Sequence, residues 1–170
     1  MNRQLFQTIT QIFLNQVRTN PDFQVYHHKV GTQWKGVTWA QFYESVRLIS
    51  LGLLEIGVKK EDHVCILSNT RFEWQQVDMA ILGTRAITVP IYASNTPEDC
   101  AYIVNHCEAE VLFVEDNKQL EKILLVREQL PKLKKIILFD FVPTKQIALD
   151  KDILSLSALV ELGRRAFLSK

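Results

Sequence analysis

The sequence has little cysteine and little glycine, and each shortage excludes a class of protein. Its three cysteines, Cys65, Cys100 and Cys107, form an odd set without the spacing of a disulfide scaffold, which favours a reducing compartment. Only six glycines occur in 170 residues, and they form no glycine-rich dinucleotide fingerprint. We therefore expect neither a disulfide-stapled secreted domain nor a dinucleotide site, and we predict a cytoplasmic protein.

Long apolar runs and an excess of one charge are also missing. Near the N-terminus Gln7, Thr8, Gln11 and Asn15 interrupt the apolar residues, so neither a signal peptide nor a membrane-spanning helix is expected. Twenty basic residues against nineteen acidic ones leave a net charge of +1. Because the lysines lie in small groups without interleaved aromatic residues, we expect no nucleic-acid partner.

Apolar residues near the N-terminus instead form one helical stripe. Its members are Leu5, Phe6, Ile9, Ile12, Phe13 and Val17. Such a stripe could lie on a membrane, but its polar face is mostly glutamine, with only Arg3 and Arg18 to attract anionic lipid. We therefore predict a helix that packs against protein.

Short apolar runs alternate with helical patterns from residue 63 onward. The pattern predicts strands at 63–67, 86–91, 110–115 and 135–139, and helices at 71–82, 97–107 and 118–129. The strands are short and rich in β-branched residues, as expected for a parallel sheet that is buried on both faces and joined by right-handed crossovers. The last strand, around Ile136, Ile137, Leu138 and Phe139, would form an uncovered edge, which predicts self-association.

Further elements flank this core on both sides. Residues 23–37 read as a β-hairpin, and Thr38 with Gln41 would form the capping box of a helix that ends near Gly57. Toward the C-terminus, residues 153–167 suggest one more amphipathic helix.

Two helix starts inside the core are marked by threonine. The segment LSNTRFEWQQVDMAILG, residues 67–83, has no glycine at its tip, although a loop that wraps a phosphate usually needs several. Thr70 and Glu73 instead fit a capping box, so alanine at position 70 is expected to cost about 1 kcal/mol. Thr96 before Pro97 marks the start of the middle helix in the same way.

Together these elements predict a single α/β domain over residues 1–170. A helix, a hairpin and a second helix would occupy residues 1–58, the βαβ core residues 59–142, and a helical extension residues 143–170.

Two patterns resemble reactive motifs but lack the context that those motifs need. Residues 52–59, GLLEIGVK, come within one residue of a P-loop, yet they close a helix instead of opening one. Cys100, His106 and Cys107 place only two ligands on one helix face and have no second cluster, which falls short of a zinc site. We therefore expect neither a phosphate loop nor a metal site.

A set of residues between positions 37 and 116 carries a family resemblance. It consists of Asn69, Thr70, Arg71, Glu73, Trp74, Asp78, Pro90, Tyr92, Thr96, Pro97, Asn105 and His106. In these residues the chain resembles the N-terminal part of the adenylate-forming (AMP-binding) enzymes, most closely the long-chain acyl-CoA synthetases. The resemblance implies the N-terminal subdomain of such an enzyme, with a Rossmann-like sheet, and a structural role for its signature residues.

The same resemblance implies chemistry that lies beyond these residues. Enzymes of this family use ATP and Mg²⁺ to convert a fatty acid to an acyl-adenylate, and then pass the acyl group to coenzyme A. Their phosphate loop ending in Pro-Lys-Gly, their Tyr-x-x-Thr-Glu segment, their ribose-binding aspartate and their C-terminal lysine have no counterpart in this sequence. We therefore expect no catalytic, cofactor-binding or metal-binding residue here, and an inactive chain.

Two hypotheses follow for the function. The first is the N-terminal part of a long-chain fatty acid to CoA ligase, packed against the remainder of a parent enzyme that is expected in the cytoplasm, with a peripheral membrane association as the alternative. The second is a stand-alone module that uses the same half-fold to bind an acyl chain or a partner protein. One departure from the family pattern is Arg85, where a small residue or glycine is usual, and we expect its side chain to project into solvent.

Overall fold

Two sheets, one antiparallel and one parallel, organise the chain. The computed structural model describes residues 8–143 and 150–169. Its elements are α1 (Ile9–Thr19), β1 (Gln24–Val30), β2 (Gln33–Thr38), α2 (Trp39–Glu55), β3 (His63–Leu67), α3 (Phe72–Gly83), β4 (Ile87–Ile91), α4 (Pro97–His106), β5 (Val111–Val114), α5 (Asn117–Leu125), a 3₁₀ turn (Arg127–Gln129), β6 (Lys135–Leu138), β7 (Ile153–Ser155) and α6 (Leu156–Leu168).

The parallel sheet has the strand order β4, β3, β5, β6, β7, and every neighbouring pair in it is parallel. The middle strand β5 is apolar and buried at every residue, and β3 and β6 beside it are apolar and buried after their first residues, His63 and Lys135. Short strands of valine, isoleucine, leucine and phenylalanine suit this position because neither face of the sheet meets water. The predicted α/β class with a parallel, Rossmann-like sheet is therefore confirmed, as are the hairpin and the helix before it.

Helices cover both faces of the parallel sheet. On one face α2, α3 and α6 contribute Ile49, Val77 and Leu159 to the apolar layer. On the other face α4 and α5 contribute Val104 and Ile123. The crossover helices change face because the strand order reverses at β3, and the right-handed connection then requires the opposite side of the sheet.

The hairpin of β1 and β2 packs against the first turn of α3. His28 stacks on Phe72 with 4.7 Å between ring centroids, and Tyr26 approaches the same ring at 5.5 Å. α1 joins this aromatic group through Phe13, which meets Phe42 of α2 edge-on at 5.7 Å. The N-terminal elements are thereby attached to the main sheet by aromatic contacts.

The predicted start and end of α2 are confirmed. The N–H of Gln41 donates to Thr38 Oγ1 at 3.3 Å, and the N–H of Thr38 donates to Gln41 Oε1 at 3.0 Å. After the helix, Gly57 has a φ of 99°, a left-handed backbone that glycine adopts without steric cost. Residues 52–59 therefore end a helix, and the resemblance of this stretch to a P-loop is coincidental.

The prediction of one helix over residues 153–167 is wrong at its start. Ile153–Ser155 forms β7 and pairs with β6, so the helix begins only at Leu156. The side chain of Ser155 accepts a hydrogen bond from the first turn of α6 and caps it. Three residues give too little alternation to distinguish a strand from the helical pattern that follows. The segment expected to be a purely helical extension thus adds a strand to the sheet.

The expectation that residues 136–139 form an uncovered edge is also wrong. β6 lies between β5 and β7, and Ile136, Ile137 and Leu138 are buried. Among the described residues, β4 and β7 border the sheet instead. The side chain of Ile87 in β4 is 43% exposed, and β4 also contains Pro90, a residue that sheets tolerate mainly in edge strands.

α1 uses only part of the predicted apolar stripe. Phe13 is buried and Val17 packs beside it, but Ile9 and Ile12 are 60% and 45% exposed. Leu5 and Phe6 lie outside the described residues. Within the helices that the structure describes, no segment combines the length and the apolar character needed to cross a bilayer.

Arg85 adopts a backbone conformation that favours glycine. Its φ is 67°, and its N–H donates to the carbonyl oxygen of Leu82 at 3.1 Å to close the turn after α3. The residue is exposed, as expected. A left-handed conformation is costly for any residue with a Cβ, which explains why glycine suits this position.

Two glycines let α6 lie directly on α2. A Cβ on Gly163 would overlap the carbonyl oxygen of Leu48, and a Cβ on Gly52 would overlap the carbonyl oxygen of Leu159. The two helix backbones therefore touch at this crossing without a side chain between them.

Substituting Gly163 by alanine should lower the free energy of unfolding by about 3 kcal/mol, because the added methyl group forces the two helices apart. In a helix without such a contact the same change would raise stability by up to about 1 kcal/mol. Urea unfolding measures the difference. Arg165→Ala on the exposed side of α6 is the matched control and should change stability by less than about 0.5 kcal/mol. A stabilising Gly163→Ala would rule out backbone contact between α2 and α6.

Candidate functional site

The carboxyl ends of β3, β5 and β6 bring polar side chains together at one edge of the sheet. Because the strand order reverses at β3, this edge contains the topological switch point, where α/β proteins commonly bind ligands. Asn69 and Arg71 follow β3, Glu73 lies in the first turn of α3, Glu115 follows β5, and Asp140 follows β6. These five residues are called the Arg71 cluster below.

The guanidinium of Arg71 is the centre of the cluster. Its Nη1 and Nη2 donate to the two carboxylate oxygens of Asp140 at 2.6 and 2.9 Å, and its Nε donates to Glu73 Oε2 at 2.6 Å. The nearest oxygen of Glu115 lies 3.9 Å from Nη1. A guanidinium bound at two points by one carboxylate is among the strongest ion-pair geometries. Arg71 therefore ties the loop after β3 to the loop after β6.

Glu115 holds the same loop from the other side. Its Oε2 accepts hydrogen bonds from the backbone N–H and from the side-chain amide of Asn69, each at 2.9 Å. The hydroxyl of Ser68 donates to the carbonyl oxygen of Asn69 at 2.7 Å. The backbone N–H, the carbonyl oxygen and the side-chain NH₂ of Asn69 are therefore engaged within the protein.

The charges of the Arg71 cluster disfavour a phosphate ligand. Three carboxylates surround one guanidinium, so the ionised cluster is net negative and repels anions. The hydrogen bond from Arg71 to Asp140, assisted by Glu73, raises the pKa of Arg71 above its ordinary value and keeps it charged. Within residues 8–143 and 150–169, no group of three histidine, cysteine or acidic side chains is arranged to hold a metal ion. The arrangement acts as a clamp between loops.

A second clamp holds the loop after β4 at the same edge. Lys122 on α5 donates through Nζ to the carbonyl oxygens of Ala93 and Asn95 at 2.6 and 3.0 Å. The side-chain amide of Gln119 adds a hydrogen bond to Ala93 at 3.3 Å. The loops that follow β3 and β4 are thus both fixed by side chains from neighbouring elements.

Thr70 and Glu73 do not form the predicted capping box. α3 begins at Phe72 with Arg71 as its N-cap residue, and no side chain caps it. The helix starts one residue later than the capping box requires, which leaves Thr70 exposed outside it. The carboxylate of Glu73, which the box needs, is bound instead by Arg71.

The other signature residues lie elsewhere in the fold. Trp74 is half-buried and packs against the apolar layer beneath α3. Asp78 acts electrostatically on Tyr26 of the hairpin. The pKa of Tyr26 is raised by burial and, to a smaller extent, by the negative charge of Asp78. Pro90 lies in β4, and Tyr92 just beyond it is 81% exposed. Of the residues that carry the family resemblance, Asn69, Arg71 and Glu73 thus belong to the Arg71 cluster.

The acidic partners of Arg71 were missed by the sequence analysis. Glu115 and Asp140 are distant from the loop in sequence: Glu115 lies 46 positions after Asn69, and Asp140 lies 69 positions after Arg71. A usable signal was present, because Glu115 is the last residue of one predicted strand and Asp140 directly follows the next. The carboxyl ends of parallel strands meet at one edge, so polar residues after each strand become neighbours.

Similarity to known proteins extends over most of the chain. The model of the AMP-binding enzyme family matches residues 13–158. The chain is 37% identical over 130 residues to the long-chain-fatty-acid–CoA ligase ACSBG2 of Xenopus laevis, covering 76% of this chain and 18% of that protein. It is 34% identical over 120 residues to the long-chain-fatty-acid–CoA ligase FadD15 of Mycobacterium bovis, covering 71% and 20%. The chain therefore spans about a fifth of these curated relatives.

A solved structure has the same fold. The crystal structure of the anthranilate CoA ligase AuaEII in complex with anthranoyl-AMP matches with a TM-score of 0.79 at 22% identity, over 92% of this chain and 28% of that one. The parallel sheet and its helices are thus shared with an adenylate-forming CoA ligase.

Replacing Arg71 by methionine should lower the free energy of unfolding by about 2 kcal/mol, since the carboxylates lose their shared partner. Asp140→Asn should cost about 1 kcal/mol, and the double variant little more than Arg71→Met alone, because both changes remove the same interaction. Urea unfolding of the three variants measures this coupling. Arg164→Met, which disrupts an exposed pair with Glu161, should cost less than about 0.5 kcal/mol. Strict additivity would contradict the clamp.

Two threonines offer a matched test of helix capping. Thr96 forms a complete box with Asp99, with both hydrogen bonds at 3.2 Å, which confirms the predicted start of α4. Thr96→Ala should therefore cost about 1 kcal/mol, whereas Thr70→Ala should change stability by less than about 0.5 kcal/mol. Thermal or urea unfolding of both variants decides; equal costs would show that Thr70 supports the fold in some other way.

Proposed function

This chain belongs to the AMP-binding enzyme family, and on that basis we propose that it is the N-terminal part of a long-chain fatty acid–CoA ligase. The observation that carries the substrate class is the similarity to two long-chain ligases, one from a vertebrate and one from a bacterium. Both relatives are several times longer than this chain, which supports a fragment of a larger enzyme.

The parent enzyme would join a fatty acid to coenzyme A in two steps. The fatty acid carboxylate first displaces pyrophosphate from ATP, with Mg²⁺ bound, and forms an acyl-adenylate. The thiol of coenzyme A then displaces AMP and takes the acyl group. ATP, Mg²⁺ and coenzyme A are therefore the cofactors and substrates of the parent, and we propose that this chain alone binds none of them.

We propose that the chain itself provides structure and not chemistry. The donors of Arg71 are engaged by carboxylates, and Glu115 is engaged by Asn69, so the switch point offers no open set of groups to a nucleotide. We assign no catalytic, cofactor-binding or metal-binding residue to this chain. The signature residues have structural roles in this proposal: Thr70, Arg71, Glu73, Trp74, Asp78, Pro90 and Tyr92.

The partner in this proposal is the remainder of the parent enzyme, with residues 1–170 forming one subdomain. An open groove runs beside the Arg71 cluster between the end of β6 and α6. Its lining mixes apolar residues, among them Phe139 and Leu156, with polar and charged ones such as Ser157 and Arg164. Such a mixed surface suits contact with later parts of the chain. We further propose a cytoplasmic location for the parent, with a peripheral association with membranes.

The chain alone should show no micromolar binding of ATP with Mg²⁺ in calorimetry and should form no acyl-CoA, because a triphosphate finds no preorganised donors here. The longest reading frame that contains this sequence should convert a long-chain fatty acid, ATP and coenzyme A to acyl-CoA, AMP and pyrophosphate. Pyrophosphate release measures the first step, and a reaction without fatty acid is the control.

The possible failures of this experiment have different meanings. Micromolar ATP binding by the chain alone would overturn its purely structural role. A longer protein that activates only short or aromatic acids would overturn the long-chain assignment and leave the family intact. Binding of a fatty acid by the chain alone would favour the stand-alone module.

Self-association of the isolated chain stays a prediction, but the surface expected to mediate it is no longer the strand at residues 136–139. β6 is covered by β7, so the open edge of β4, with Ile87 exposed, becomes the surface that a second copy would meet. Sedimentation velocity at several concentrations should show a dimer that forms on concentration, and Ile87→Lys should weaken it. A monomer at all concentrations would refute the prediction.

A further inference from the structure

Two of the three cysteines lie against each other on one face of the parallel sheet. The sulfur of Cys65, in the central strand β3, is 3.5 Å from the sulfur of Cys107, the C-cap residue of α4. Cys65 is buried, and Cys107 is half-buried and partly open to solvent. Cys100, also on α4, is buried. The packing of α4 on β3 thus places one reachable sulfur directly over one enclosed sulfur.

The two paired thiols differ in how readily they ionise. The hydrogen bond that Cys107 shares with the Cys65 thiol, together with the backbone N–H groups of Ala109 and of Cys107 itself, lowers the pKa of Cys107 to about 7. The same hydrogen bond, together with burial, raises the pKa of Cys65. Cys107 therefore ionises first, and the thiolate is the nucleophilic form of cysteine.

We propose that Cys65 and Cys107 form a site of oxidative modification, at which a peroxide converts the two thiols into a disulfide. The sulfurs are already in contact and need to approach by only about 1.5 Å more to reach the length of an S–S bond. The reachable sulfur meets the oxidant and the enclosed sulfur resolves the product, which is the arrangement of redox-sensing cysteine pairs. This inference is independent of the proposed ligase function.

The chemistry balances with hydrogen peroxide as the oxidant. The Cys107 thiolate attacks one peroxide oxygen, so that an S–O bond forms, the O–O bond breaks and hydroxide leaves. Cys65 then attacks the sulfenic sulfur of Cys107; the S–S bond forms, the S–O bond breaks, and a second hydroxide leaves with the Cys65 proton as water. In total two thiols are oxidised, and one peroxide is reduced to two waters.

The direct test uses the unaltered chain. It is treated with equimolar hydrogen peroxide, the remaining thiols are alkylated under denaturing conditions, and the digest is mapped by mass spectrometry. The expected product is a peptide pair linked through Cys65 and Cys107, lighter by two hydrogen atoms, with Cys100 alkylated and full reversal by dithiothreitol. Sulfinic acid at Cys107 with Cys65 still alkylated, or a link through Cys100, would overturn the proposal.

Single substitutions separate the two roles. Cys100→Ser should form the same linked pair at the same rate as the unaltered chain. Cys65→Ala should stop at the sulfenic acid of Cys107, which dimedone traps, whereas Cys107→Ala should leave Cys65 fully alkylatable after peroxide. If the Cys65 thiol were lost equally fast in the Cys107→Ala variant, peroxide would oxidise the buried thiol directly. That result would contradict the proposal that Cys107 reacts first. The peptide mapping of the unaltered chain tests the proposal even if one of these variants fails to fold.

Discussion

The contact of α6 with α2 through two glycines is the constraint on which the rest of the fold depends. α6 can reach the sheet layer only because Gly163 and Gly52 present no side chain at the crossing. α6 follows β7 without a break, so the same contact sets where β7 lies against β6. The position of the last strand in the sheet thus depends on a contact between two helices, α2 and α6, that are separated by about 100 residues of sequence.

The Arg71 cluster shows how a switch point can become a structural joint. The topology brings loop residues together at the carboxyl edge of the sheet, which in many α/β proteins leaves a crevice for a ligand. In this chain a guanidinium and three carboxylates occupy that place and satisfy one another. The chain's own side chains therefore hold this edge together, which is the structural role proposed for it above.

Much of the fold could be predicted from the sequence because the strands are buried on both faces. That burial selects continuous apolar, β-branched runs, which are visible in β3 and β5. Local caps were equally visible at Thr38 and Thr96, where both partners of each box lie within one turn.

Predictions failed where a distant residue decides the outcome. Thr70 was expected to cap a helix, but Arg71 takes the carboxylate that the cap needs and joins it to Asp140. The strand Ile153–Ser155 exists only because β6 is available to pair with it. The contact of Gly163 with Leu48 was not among the predictions, since no local pattern in the sequence indicates it. In each case the determining contact is not local in the chain.

The position of α6 at the far end of the chain also matters while the protein is being made. α2 ends at Glu55 and α6 begins at Leu156, so about 100 residues must be synthesised after α2 before its partner helix exists. At about 5 to 20 residues per second, this takes roughly 5 to 20 seconds. Throughout that interval the surface of α2 around Gly52 lacks its partner helix. The nascent chain is therefore open to incorrect contacts for the longest time at the place where its native packing is tightest.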